Sequence, residues 1–156
     1  MVAQQVFLIR DARPEDMSEI LAIEYKCFPD PYPLSLLNRL HTTHPDGFLV
    51  AEVGSKVIGY LIGAVRWGPI GHILAIGVDP AFRRHGIGSA MVQKMIERFA
   101  RKGARLVRLE ARKSNVGAHQ FYRRLGFKDR MEVPYYYEDG ETALTMELPL
   151  GGSPVS

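Results

Sequence analysis

The sequence predicts an α/β fold in which a mixed central sheet of about seven strands is flanked by about four helices. Two apolar runs, GFLVAEV and KVIGYLIGAVRW, meet at the turn GSK, which is a hairpin signal. Segments with helical periodicity lie both before and after these strands, an order typical of a mixed sheet covered by helices. Two further strand-like runs close the chain around the turn EDGE.

The first half of the chain supplies one strand, two helices and three more strands. A strand is predicted over 6–10, followed by a helix over 13–28 that has Pro14 near its first position. Three prolines in FPDPYP end this helix, and a short second helix is predicted over 34–40. The next three strands are predicted over 47–53, 56–67 and 71–78.

The second half continues with helix, strand, helix and two strands. Apolar residues from Ile87 to Phe99 recur at helical spacing, and Gly103 is well placed to end that helix. RLVRLEA is predicted to be a strand. The next helix, SNVGAHQFYRRLG, has Ser114 or Asn115 as its cap and Gly126 as its stop. FKDRMEVPYYY and TALTMEL form the closing pair.

Length and composition predict a single cytoplasmic domain. The 156 residues are 46% hydrophobic and 24% charged, which is ordinary for a globular protein. We expect one domain over 1–150 and a flexible tail over 151–156. No apolar run approaches the ~20 residues of a membrane span, and the N-terminus does not resemble a signal peptide. A lone cysteine excludes an internal disulfide and fits a reducing cytosol.

Basic residues are concentrated between Arg98 and Arg130. This segment holds eleven lysines and arginines but only two acidic residues, Glu110 and Asp129. Two interpretations stay open: a solvated basic face, or a surface that attracts an anion such as cofactor phosphate, an acidic peptide or ribosomal RNA.

The stretch FRRHGIGSAMVQKM places two glycines directly before a helix. A Walker A loop is excluded because Ser89 and not lysine follows Gly88, and a dinucleotide fingerprint would need a third glycine where Met91 stands. Amides at a helix start, with the helix dipole, can bind a diphosphate. The alternative is that the glycines only permit a tight turn, and the segment alone does not decide between them.

Arg83-Arg84-His85-Gly86-Ile87-Gly88 resembles the Arg/Gln-x-x-Gly-x-Gly/Ala signature of the GCN5-related N-acetyltransferases, the GNAT superfamily. LEARKSNVGAHQFYRRLGF is similar to the second block of this family. FPDPYP, GHILAIGV and YYYEDGETALTM resemble blocks in archaeal and eukaryotic protein N-terminal acetyltransferases and in ribosomal-protein-alanine acetyltransferases. The resemblance covers the chain from about Phe7 to Leu148 and implies the GNAT fold.

The resemblance implies transfer of an acetyl group from acetyl-CoA to a primary amine, with CoA as product and no covalent enzyme intermediate. In this family the fourth strand splays from the fifth, and the pantetheine arm lies in the gap. The cofactor-binding residues that the resemblance implies are Ile76, Gly77, Val78, Arg83, Arg84, His85, Gly86, Ile87, Gly88, Ser89, Asn115 and Tyr122. For Asn115 the alternative is a helix cap only.

Four residues are implied to take part in the chemistry. Glu110 matches the family's catalytic glutamate and His72 a histidine that works through ordered water, while Asp30 stands where close relatives carry glutamate. Each has a structural alternative: Glu110 could neutralise Arg108 or Arg112, and His72 could be a hydrogen-bonded core residue. Tyr122 is the implied acid, because a phenol and a thiol differ by only ~1.5 pKa units, and its alternative is core packing.

Substrate selection is expected to use Pro31 and Tyr32 of FPDPYP with Tyr136 and Tyr137 of YYYEDGE. The implied substrates are protein N-termini that begin with Ser, Ala or Thr, with Met also open. The ribosome stays open as a partner, no metal or membrane is implied, and the chain is expected to be a monomer or homodimer. Three other functions stay open: a small-molecule amine acetyltransferase, a non-catalytic CoA-binding sensor and an RNA-binding module.

Overall fold

The computed structural model describes residues 6–66 and 68–151. Residues 1–5, Trp67 and residues 152–156 lie outside the described part, and so does all of the predicted tail after Gly151. The described chain divides into two compact units. The first takes the chain up to Gly63 together with Ala75–Met95, and the second takes Ala64–Leu74 together with the chain from Ile96 onward. The single-domain expectation stays a prediction.

The described residues form a seven-stranded sheet with the strand order β1-β2-β3-β4-β5-β7-β6. The strands are β1 Leu8–Asp11, β2 Phe48–Val53, β3 Lys56–Arg66, β4 Ile70–Val78, β5 Leu106–Arg112, β6 Lys128–Val133 and β7 Ala143–Pro149. The helices are α1 Met17–Cys27, α2 Leu34–Thr43, α3 Ile87–Arg101 and α4 Val116–Arg124. β4 and β5 are parallel whereas the β5–β7 and β6–β7 pairs are antiparallel, so the predicted mixed sheet is confirmed.

The core of the first unit is built on an antiparallel hairpin. β2 pairs with β3, and Gly54 adopts a positive φ of 63° in the turn between them. Both strands are buried for most of their length, which explains why the sequence reads there as continuous apolar runs. Phe48, Leu49, Ile58, Leu61 and Ile62 are fully buried.

The first helix begins later than the sequence predicts. A short 3₁₀ turn, Pro14–Asp16, precedes α1, which starts at Met17. Asp16 accepts the backbone N–H of Arg13 at 2.7 Å and forms a two-point ion pair with Arg10 at 2.7 and 3.0 Å. These bonds hold the carboxylate at the entry to the helix, which accounts for the separate turn.

The second unit contains the β5–β7–β6 part of the sheet. β5 pairs with β7 along its whole length, and β4 is in parallel register with β5 from Ile70–Leu106 to His72–Arg108. The side chains of β5 alternate: Val107, Leu109 and Ala111 are buried on one face, while Arg108, Glu110 and Arg112 lie on the other, which is called the polar face. The register of β4 and β5 therefore places His72 and the polar face of β5 in the same region of this unit.

α4 begins and ends as predicted. The Asn115 side chain accepts the backbone N–H of Ala118 at 3.1 Å, which is an N-cap bond. Gly126 follows the helix with a φ of 101°, a conformation that favours glycine. Within residues 6–66 and 68–151 there is no helix with the length and apolar character that crossing a membrane requires.

Candidate active site

The glycine turn of the first unit leads directly into α3. Ala90 donates the first helical hydrogen bond to the carbonyl of Gly86 at 3.0 Å, so the amides of Ile87, Gly88 and Ser89 lie in the first turn, which has no acidic residue. Amides at this position have no partner inside the helix. Gly88 thus belongs to the helix, where the sequence had suggested a turn that extends to this residue.

Backbone geometry explains the need for glycine at position 86. Gly86 has a φ of 79°, and a Cβ atom added there would meet no other heavy atom within 4 Å. The glycine is therefore needed for its conformation and not for space. Arg84 also has a positive φ, 69°, and both arginines of the turn are exposed, as is His85. The turn thus combines helix-start amides with accessible positive charge.

Arg83 is tied to the end of β4. Its Nε donates to the carbonyl of Val78 at 3.1 Å, and its Nη2 lies 3.3 Å from Sγ of Cys27. Ile76, Gly77 and Val78 form the end of β4 that precedes the turn, with Gly77 buried and its neighbours half-buried. The first unit therefore brings the implied cofactor residues of β4, the glycine turn and α3 into one continuous segment.

The loop between α1 and α2 carries the implied residues Asp30, Pro31 and Tyr32. Asp30 is exposed, whereas Pro31 and Tyr32 are half-buried. The backbone N–H of Tyr32 donates to Oε1 of Glu24 at 2.8 Å, which closes the loop onto α1.

In the second unit His72 and Glu110 are in direct contact. Nε2 of His72 lies 2.7 Å from Oε1 of Glu110, and the two side chains are only 6% and 14% exposed. Arg66 at the end of β3 donates from Nε to Nδ1 of His72 at 3.3 Å. With Nδ1 accepting, the neutral ring carries its proton on Nε2 and donates it to Glu110.

Tyr136 completes this cluster from the β6–β7 loop. Its hydroxyl donates to Oε1 of Glu110 at 3.3 Å. The ring of Tyr137 packs edge-on against Tyr136 at a centroid distance of 4.9 Å. Of the two tyrosines predicted from YYYEDGE, Tyr136 thus contacts the glutamate and Tyr137 packs against Tyr136.

Arg112 fixes the loop that carries these tyrosines. Its guanidinium carbon lies 4.2 Å from the centre of the Tyr137 ring, and Nη1 binds Asp139 at 2.9 Å and Glu141 at 2.8 Å. Glu141 also accepts the backbone N–H of Ser114 at 2.9 Å. The bonds to Ser114 and Arg112 lower the pKa of Glu141 to about 2. Arg112 therefore anchors the β6–β7 loop at three points between Tyr137 and Glu141.

The charged residues on the polar face of β5 have different partners. Arg108 pairs with Glu147 of β7 at 2.7 Å, and Arg112 pairs with the acidic residues of the β6–β7 loop. The hydrogen bonds of Glu110 come from His72 and Tyr136 instead. The alternative that Glu110 serves to neutralise Arg108 or Arg112 is not favoured by these contacts.

Tyr122 lies on the buried face of α4. It is 6% exposed, and its ring packs edge-on against Phe127 at 5.6 Å. Burial, and to a lesser extent Tyr137, raises the pKa of Tyr122 well above its ordinary value. The phenol therefore keeps its proton at neutral pH. Asn115 is exposed, and its side-chain oxygen makes the cap of α4, so the carboxamide nitrogen is the group available to a ligand.

Sequence reasoning missed two residues of this unit. Arg66 ends a strand that reads only as apolar, and its bond to His72 depends on how β3 and β4 are placed. Arg112 stands within the LEARKSN block, where it matches the family pattern, but its contacts lie 27 and 29 residues away in the chain. Neither partnership leaves a local sequence signal.

Comparison with known proteins places the chain among acetyltransferases. A model described as the acetyltransferase (GNAT) family matches residues 15–127. The chain is 40% identical over 141 residues to an uncharacterized N-acetyltransferase of Methanocaldococcus jannaschii, with 89% of each chain covered. It is 34% identical to an N-alpha-acetyltransferase of Sulfurisphaera tokodaii. The match covers 92% of this chain and 93% of that protein.

Solved structures agree in architecture. The crystal structure of Ard1 from Thermoplasma volcanium matches with a TM-score of 0.89 and 31% identity, over 93% of this chain and 98% of that one. Naa20 of Chaetomium thermophilum, solved in complex with a bisubstrate analogue, matches with a TM-score of 0.84 and 28% identity, over 91% and 86% of the two chains. The NatC complex bound to Gag peptide and CoA, 20% identical, shares the fold with a TM-score of 0.83, over 93% and 99% of the chains.

Proposed function

The chain belongs to the acetyltransferase (GNAT) family and is an N-acetyltransferase, and on this premise we propose that it acetylates the α-amine of protein N-termini. The observation that carries the proposal is the cluster of His72, Glu110 and Tyr136, which joins a carboxylate, a histidine and a loop tyrosine. Two kinds of similar protein support an N-terminal amine as the acceptor. They are the relatives named as N-alpha-acetyltransferases and the solved structures of Ard1 and Naa20.

The residues of the first unit fit the diphosphate of acetyl-CoA. The amides of Ile87, Gly88 and Ser89 open α3, exposed Arg84 and His85 precede them, and no acidic side chain lies in the first helical turn. Such a helix start attracts an anion. We assign the diphosphate to residues 83–89 and the pantetheine arm to the backbone of Ile76, Gly77 and Val78, with Asn115 as a further contact. The cofactor supplies the acetyl thioester.

Glu110 is the residue to which we assign the proton of the amine, taken up through a water molecule. The neutral His72 ring uses its Nε2 proton and its Nδ1 lone pair in bonds to Glu110 and Arg66, so it positions the carboxylate. A peptide α-amine has a pKa near ~8, so a fair fraction is already neutral at pH 7 and a weak base suffices. Asp30, exposed on the α1–α2 loop, is assigned to the binding of the peptide.

Tyr122 is assigned to the leaving sulfur. Its raised pKa means that full proton transfer to a thiolate would be unfavourable, so the phenol acts by donating a hydrogen bond. This refines the expectation that a phenol of ordinary pKa shares its proton with the thiol.

Pro31, Tyr32, Tyr136 and Tyr137 are assigned to the extended peptide. Tyr136 is 47% exposed and already bonded to Glu110, so it can contact a ligand near the carboxylate. Small first residues, Ser, Ala or Thr, are the expected substrates, with Met also to be tested. The cytoplasm, where proteins are made, is the proposed place of action, and ribosome association remains part of this proposal.

A peptide panel varied at its first two positions tests the proposal. Incubation with acetyl-CoA should give acetylated α-amines, and mass spectrometry should find the highest rates for small first residues. A panel with no acetylated peptides, together with efficient acetylation of polyamines, would contradict it in favour of a small-molecule enzyme. Binding of CoA with no turnover of any amine would instead indicate a sensor.

A further inference from the structure

A glutamate outside the assigned chemistry is buried in the first unit. Glu24 of α1 is 2% exposed, and among the described residues its two hydrogen bonds come from uncharged donors. Oε1 accepts the backbone N–H of Tyr32 at 2.8 Å, and Oε2 accepts the hydroxyl of Tyr60 on β3. Removing a carboxyl group from water without a cation beside it is costly, so an apolar residue would serve packing better.

Tyr60, which is bonded to Glu24, also lies beside the end of β4. The phenol is fully buried, and its ring fills the space beside Gly77. A Cβ atom at position 77 would lie 2.7 Å from Cε1 of Tyr60 and 3.1 Å from its hydroxyl oxygen. Glycine at position 77 thus avoids a clash with this ring, which lies directly beside the backbone of β4 at that residue.

We propose that Glu24 and Tyr60 form a positioning pair that sets the α1–α2 loop against the cofactor-binding end of β4. One carboxylate holds Tyr32 on the loop, and the phenol bound to the same carboxylate abuts Gly77. Both side chains are too buried to touch a ligand, so their role is to fix residues that do. The inference rests on the proposed function, in which the loop binds peptide and the strand binds cofactor.

Conservative and non-conservative variants separate positioning from simple packing. E24M removes both acceptors at similar volume, whereas E24Q retains an oxygen for the Tyr32 amide and an NH₂ group for the Tyr60 oxygen. We expect E24M and Y60F to raise the KM for peptide roughly three- to tenfold with kcat changed less, the size expected for a lost hydrogen bond. E24Q should restore the KM to within about twofold of wild type.

Glu19 supplies the matched control. It lies on the same helix and accepts the backbone N–H of Val57 at 3.0 Å, away from the loop. E19M should leave the KM for peptide unchanged. In the E24M background Y60F should add little, because the pair is already broken. Equal effects of E19M and E24M, or additive effects of E24M and Y60F, would overturn the proposal.

Two readouts do not depend on peptide turnover. Hydrogen exchange of the Tyr32 amide should accelerate in E24M but not in E19M, and calorimetry should find weaker CoA binding in Y60F. Wild-type protein that fails to acetylate any peptide would contradict the proposed function, yet these two measurements would still test the pair. Unchanged exchange at Tyr32 in a folded E24M variant would overturn the pair itself.

Discussion

Nε2 of His72 lies 2.7 Å from Oε1 of Glu110, while Arg66 donates to the opposite nitrogen of the same ring at 3.3 Å. Both ring nitrogens of His72 are therefore in use when the ring is neutral. The carboxylate, which is the more exposed of the two groups, is left as the acceptor for an incoming proton.

Replacing Glu110 by Gln should lower kcat by about 10²- to 10⁴-fold, the range for loss of a general base, with a smaller change in the KM for peptide. Glu147 provides the control, because it lies on the neighbouring strand and pairs with Arg108 at 2.7 Å. E147Q should retain near wild-type kcat. Steady-state kinetics across pH checks both variants, and an E110Q enzyme with normal turnover would refute the assignment.

Arg66 should influence the pH dependence of turnover through the tautomer of His72. R66M removes the donor to Nδ1 that fixes the tautomer in which His72 donates to Glu110, so the pH profile of kcat should shift. R66Q keeps a side-chain N–H donor and should lie closer to wild type. Measurements of kcat against pH for R66M, R66Q and wild type test this role of Arg66. Identical profiles for R66M and wild type would contradict it.

Gly86→Ala should weaken CoA binding and destabilise the fold by roughly 1 kcal/mol, because alanine disfavours a φ of 79°. Gly103 is a matched control, with a φ of 87° and equally open surroundings at the other end of α3. G103A should cost similar stability but leave CoA affinity intact. Calorimetry and denaturant unfolding distinguish the two, and equal CoA affinities would argue against a cofactor role for the turn.

Arg112→Met should raise the KM for peptide several-fold, because it releases the loop that holds Tyr136 and Tyr137. The guanidinium binds Asp139 and Glu141 and stacks on the Tyr137 ring. Arg123 forms an exposed two-point pair with Asp129 at 3.0 and 2.6 Å and serves as control, since surface pairs contribute little. The kinetics of R123M should match those of wild type. An unchanged KM for peptide in R112M would contradict the role of Arg112 in holding the loop.

Glu24 should make stability depend on pH. Burial, with Asp30 nearby, raises the pKa of Glu24 despite the opposing bond from Tyr32, so the folded state holds this proton more tightly than the unfolded chain does. The stabilising contribution is complete below the unfolded pKa of ~4.3 and is lost as pH rises through the higher folded value. Urea unfolding should show that the free energy of unfolding of wild type falls relative to E24Q as pH rises. A difference in the free energy of unfolding between wild type and E24Q that stays constant with pH would contradict this prediction.

Much of the fold could be predicted because its signals are local. Asn115 and Gly126 bound α4 as expected, and the hairpin turns lie where glycine and polar residues break apolar runs. The start of α1 could not be predicted, because it depends on the pairing of Arg10 with Asp16. Local propensity does not reveal such a side-chain contact.

The candidate site divides in the same way. Arg83–Ser89 and Glu110 lie within contiguous blocks that resemble a family, so their types and spacing could be recognised. The hydrogen-bonded pairs Glu24–Tyr60 and Arg66–His72 each join different elements and follow no periodic pattern. These contacts depend on how the elements pack in three dimensions, which the sequence does not show.

One experiment tests the central claim most directly: a peptide with a free serine N-terminus and an internal lysine is incubated with acetyl-CoA, and tandem mass spectrometry locates the acetyl group. The account predicts modification of the serine α-amine by wild-type protein and its loss in E110Q. Acetylation confined to the lysine, or α-amine acetylation of equal rate in E110Q, would contradict it.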